Sequence, residues 1–157
     1  MTKTRRRHRG SAIVRGSRAE GSGARATSDL PAATGDEAVV TRSFADRTTS
    51  VAEARHFVAA TLGRWGCERL IDDAQLVVSE LVTNAVIHAH TPAHLVVTLR
   101  VGRLRIEVTD GGHGSLRPQP WDGRRLGGRG LLIVDRLAER WGVAHDTDGK
   151  SVWVELS

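Results

Sequence analysis

Glu80, Asn84 and His88 lie four residues apart in the run Ser79-Glu80-Leu81-Val82-Thr83-Asn84-Ala85-Val86-Ile87-His88. On a helix each step of four turns the chain by about 400°, so the three side chains share one polar stripe that drifts by about 40° per step. A glutamate on such a stripe can orient or deprotonate a hydroxyl. An asparagine amide oxygen suits a hard cation such as Mg²⁺. The same stripe also fits the solvent-facing edge of an amphipathic helix.

Two glycine-rich segments follow. In Asp110-Gly111-Gly112-His113-Gly114 a carboxylate ends a β-rich run and three glycines occupy the next four positions. Without Cβ atoms the backbone can approach a flat ligand closely, and Asp110 can accept a hydrogen bond from an exocyclic amine. A tight turn with a solvated Asp110 is the plainer alternative. In Gly127-Gly128-Arg129-Gly130-Leu131 the glycines open an amphipathic pattern. Bare N–H groups at a helix start form an anion site; a flexible glycine hinge would read the same way. The segment lacks the Lys and Ser/Thr of a P-loop.

The elements that must position these groups are legible from periodicity. Val39–Ala45 reads as a strand, and Ser50 with Glu53 has the spacing of a capping box. Helix one runs to about Arg64, with Gly63 and Gly66 at its end. Helix two runs from about Glu68 to His88, with Leu70, Ala74, Val77, Leu81 and Ala85 on its apolar face. His94–Val101 and Leu104–Thr109 alternate with period two and join at Gly102-Arg103. After a polar loop from Asp110 to Arg129, a third helix starts near Gly130, with Leu131, Val134, Ala138 and Trp141 on one face. Trp141–His145 and Ser151–Leu156 read as two strands around Asp148-Gly149. This order predicts an α+β two-layer sandwich: a mixed, mostly antiparallel sheet with helices on one face.

Composition bounds the function. The chain has 157 residues, enough for one ordinary domain. Its apolar stretches are far shorter than the roughly 20 residues of a membrane-spanning helix. Cys67 is the only cysteine, which excludes a disulfide scaffold and a cysteine metal cluster. The formal charge is +5, but residues 1–25 carry eight basic side chains against Glu20 alone, leaving 15 basic against 17 acidic elsewhere. Residues 1–36 are therefore expected to be a disordered basic tail and 37–157 the folded domain. The tail reads as solvated chain or as a weak electrostatic arm. The near-neutral domain gives no reason to expect direct nucleic-acid binding. Trp65, Trp141 and Trp153 are expected in the core.

Taken in order, the three motifs resemble the GHKL superfamily of ATPases and kinases, which includes histidine-kinase catalytic domains and gyrase. Glu80 and Asn84 resemble its N-box, Asp110, Gly112 and Gly114 its G1 box, and Gly128, Gly130 and Leu131 its G2 box. The resemblance covers roughly residues 40–157 and implies a histidine-kinase-like ATPase fold. No helix pair carrying a phospho-accepting histidine precedes the N-box, which argues against a complete histidine kinase. The runs Ser79–Ala85 and Gly130–Val134 are most similar to the small stand-alone anti-sigma-factor kinases of actinobacteria.

That resemblance implies a cytoplasmic serine/threonine protein kinase using ATP and Mg²⁺. Its phospho-acceptor would be a serine of a STAS-type anti-sigma antagonist, its other partner a sigma factor, and a homodimer is compatible with it. Glu80 would be the catalytic base, Asn84 the Mg²⁺ ligand and Asp110 the reader of the adenine amino group. Gly112 and Gly114 would let the loop pass the base. Gly128, Arg129, Gly130 and Leu131 would form the phosphate end. His88 would touch a phosphate or merely pack. Ser115–Gly127 would be the lid, with Arg117, Arg124 and Arg125 as candidate phosphate partners and Trp121 as lid anchor or partner contact. The alternative is a nucleotide-gated protein-binding module without significant kinase activity.

Overall fold

The computed structural model describes residues 37–112 and 129–157. The described residues form five strands and three α-helices, in the order β1 (Glu37–Phe44), α1 (Thr49–Arg64), α2 (Ile71–Thr83), β2 (Ala93–Arg100), β3 (Arg103–Asp110), α3 (Arg129–Leu137), β4 (Arg140–Asp146) and β5 (Gly149–Leu156). The strands form one sheet in the order β1-β2-β3-β5-β4. All four pairings are antiparallel. The expected two-layer sandwich is present, and its sheet holds no parallel pair among the described residues.

Period-two alternation sets the layers. Ala38, Val40 and Phe44 of β1, Leu95 and Val97 of β2, Leu104, Ile106 and Val108 of β3, and Val152, Val154 and Leu156 of β5 are all buried. They meet Ala54, Phe57, Val58 and Leu62 of α1 and Ala74, Val77, Val78, Leu81 and Val82 of α2 in one core. Fully burying an aliphatic or Phe side chain is worth about 1.5–3 kcal/mol, so this shared face dominates the fold. The opposite sheet face carries Arg105, Glu107 and Trp153, with the Arg105 guanidinium 4.4 Å from the Trp153 ring. Trp153 therefore leaves the expected core: it alternates with buried Val152 and Val154, and the pleat sends it to the other side. Trp65 is buried as expected, and Trp141 packs half-buried against the core.

Several local expectations are corrected. Ser50 does not cap α1. Thr48 is already in helical conformation, so the helix starts before Ser50, whose hydroxyl instead donates to the Ala45 carbonyl at 2.7 Å. Glu53 faces Arg47 at 3.5 Å. The end of α1 matches its reading: Gly66 takes φ +69° while the Cys67 N–H donates to the Leu62 carbonyl at 2.9 Å, closing a Schellman turn. The β2–β3 hairpin turns at Val101-Gly102 (φ 46° and 73°), one residue earlier than expected, because Arg100 pairs with Arg103. The last hairpin is closed by Asp146 opposite Gly149. Trp141 lies in β4, not on the third helix, because that helix ends at Leu137.

The expected helix over 68–88 changes character along its length. A 3₁₀ turn (Glu68–Leu70) leads into α2, and a wider π turn (Asn84–His88) ends it. No helix among the described residues is long and apolar enough to cross a membrane.

Candidate functional site

The π turn begins at Asn84, whose carbonyl accepts from the Ala89 N–H at 3.0 Å, five residues on. Such wide turns within helices often mark functional positions. Glu80 and Asn84 are both half-buried, whereas His88 is exposed at the end of the π turn.

Beyond the π turn the chain runs along the end of β3. The Gly111 N–H donates to Thr91 Oγ1 at 3.2 Å. A Cβ built on Gly112 would come within 2.6 Å of the Ala89 Cβ. Only a residue without a side chain lets these two backbones approach so closely. The glycines after Asp110 thus seat the loop start against the segment that follows Asn84.

Asp110 ends β3 on the helix-covered face and is 4% exposed. Its Oδ1 accepts from the Gly112 N–H at 2.7 Å and from Lys150 Nζ at 2.9 Å. Lys150 stands directly opposite Asp110 in the β3–β5 register and is equally buried. A carboxylate taken this far from water needs such partners. Gly149, at φ +153°, presses against the Asp110 carbonyl, and a Cβ there would lie 2.9 Å from the Asp110 carbonyl carbon.

The third motif meets the first. Gly130 lies in the first turn of α3, and a Cβ on it would overlap the Glu80 carboxylate, at 2.9 Å from Cδ. Leu131, next in sequence, is buried at 6% exposure, so its side chain serves packing. Gly114 and Gly128, and the lid residues Arg117, Trp121, Arg124 and Arg125, lie outside the described residues, as does the tail over 1–36. Arg129 is the first residue of α3.

The described residues thus bring together Glu80 with Gly130, and Asp110 with Gly112 beside the continuation of Asn84. Among the described residues no cluster of three or more His, Cys, Asp or Glu is arranged to hold a metal ion. Asn84 offers one neutral oxygen, which suits a Mg²⁺ held mainly by phosphate oxygens and water rather than by a protein cage. The buried carboxylate of Asp110 suits a base that bears a hydrogen-bond donor, and the start of α3 beside Glu80 suits an anionic group. Sequence reasoning missed Lys150. Its one signal was its place in the alternation Lys150, Val152, Val154, Leu156, which puts a cation on the apolar face.

The family model described as histidine kinase-like ATPase domain matches residues 44–156. Comparison with curated proteins finds no match.

Proposed function

Because the chain belongs to the histidine kinase-like ATPase domain family, we propose that it is an ATP-binding regulatory protein acting as a serine/threonine kinase in the cytoplasm. Its proposed acceptor is a serine of a STAS-type anti-sigma antagonist, with a sigma factor as the protein it holds in check. The observation that carries the nucleotide half is the convergence of the motifs: Gly130 against Glu80, and Gly111 and Gly112 against Thr91 and Ala89.

In this reading Asp110 accepts the hydrogen bond of the adenine amino group. Gly112 lets the start of the loop lie close against Ala89 beside Asp110, and Asn84 would lend its amide oxygen to Mg²⁺. The N–H groups at the start of α3 would face the phosphates, helped by the positive end of that helix. Mg²⁺ bound there would neutralise phosphate charge during transfer. Glu80 takes the proton of the serine hydroxyl as that oxygen bonds to the γ-phosphorus. The bond from that phosphorus to the bridging oxygen breaks, and ADP leaves.

The second reading, a nucleotide-gated binding module, draws on the same contact. A Glu80 wedged against Gly130 can buttress α3 without moving a proton. Radiolabel transfer from ATP to a STAS-type protein separates the two. The kinase reading expects transfer by wild type and none by Glu80→Gln, with ATP binding retained. Absence of transfer to every STAS-type partner tried, with ATP still bound, favours the gated module.

A further inference from the structure

Among the described residues Lys150 is the one buried cation of the core face: it is 4% exposed, and its Nζ lies 2.9 Å from Asp110 Oδ1. Lysine is almost never fully buried unless paired. Exchanging a buried ion pair for well-packed apolar side chains is often neutral or stabilising, so fold stability alone gives little reason for this pair. Its geometry gives another. Lys150 Nζ and the Gly112 N–H both converge on Oδ1, and among the described residues no donor is found on Oδ2. Gly112 admits the arrangement, since a Cβ there would lie 2.8 Å from Oδ1 and 2.9 Å from Nζ. Gly149 holds the main chain of Asp110 from the other side. Among the described residues the carboxylate is thus fixed in orientation and compensated in charge through Oδ1, and its other oxygen is the one assigned to a ligand.

An ionised carboxylate only accepts hydrogen bonds. So fixed, it favours a base edge that donates, as a 6-aminopurine does, and repels a 6-oxo group. We infer that Lys150 is a positioning and specificity residue, which acts through Asp110 to make the site select 6-aminopurine over 6-oxopurine nucleotides. This rests on the ATP reading of the site.

The test compares ADP with inosine diphosphate, which carries a 6-oxo group, in wild type, Lys150→Met, Lys150→Gln and Lys150→Arg. Thermal unfolding confirms that each variant folds, and Lys150→Gln carries the comparison if Met does not. The neutral variants should lose about 10–100-fold in ADP affinity, the range for outer partners that orient a binding group. Inosine diphosphate affinity should fall less, so the selectivity ratio narrows, and Lys150→Arg should restore it. In an Asp110→Asn background the Lys150 substitution should have little further effect, because the two act as one unit. A purely structural role for Lys150 would lower both nucleotides by the same factor, and that outcome overturns the inference. So does ADP binding by the neutral variants within about twofold of wild type. Wild type that binds neither nucleotide overturns the ATP reading itself, and this inference with it.

Discussion

The carboxylate of Glu80, near the end of α2, occupies the space that a side chain on Gly130, in the first turn of α3, would take. One glycine thus couples the candidate base to the candidate phosphate end of the site. The obstructing atoms are the tip of a flexible side chain, so adding a methyl group displaces Glu80 more readily than it unfolds the protein.

Gly130→Ala should therefore lower stability only modestly, by about 1 kcal/mol, while phosphoryl transfer falls steeply. Combined chemical denaturation and transfer assays check this. A large stability loss with unimpaired specific activity would contradict it.

Gly149→Ala meets a different obstacle. Its Cβ would strike the backbone carbonyl of Asp110, and φ +153° disfavours any L side chain. Neither can yield cheaply, so the expected cost is about 2–3 kcal/mol, read as a clear fall in melting temperature. ADP binding should weaken as well, because the strain falls on Asp110.

Val101 offers the opposite case. It is β-branched, 86% exposed and held at φ 46° in the first position of the β2–β3 turn. Asn-Gly is a favoured pair for a turn with two positive φ values. Val101→Asn should stabilise the domain by up to about 1 kcal/mol and leave nucleotide binding unchanged, as denaturation midpoints and ADP titration would report.

The fold was readable where burial imposes a period. The apolar rhythms Leu70, Ala74, Val77, Leu81, Ala85 and Leu104, Ile106, Val108 mark α2 and β3 because one face of each must be dry. Turns were less readable. Val101 at positive φ violates the residue preference of its own turn, and Ser50 bonds backward to Ala45 in place of capping. Glu80, Asn84 and Asp110 stood out by residue type and spacing. The π turn over Asn84–His88 is not encoded in the apolar pattern. Lys150 meets Asp110 across 40 residues of sequence, and only the β3–β5 register makes them neighbours.

The central claim is that Asp110 anchors an adenine nucleotide. Calorimetric titration of wild type and Asp110→Asn with ATP in Mg²⁺ tests it most directly. The account predicts saturable one-site binding by wild type and affinity weaker by at least about tenfold in the variant, the loss expected for a charge-assisted hydrogen bond. No binding by wild type, or equal binding by both, would contradict it.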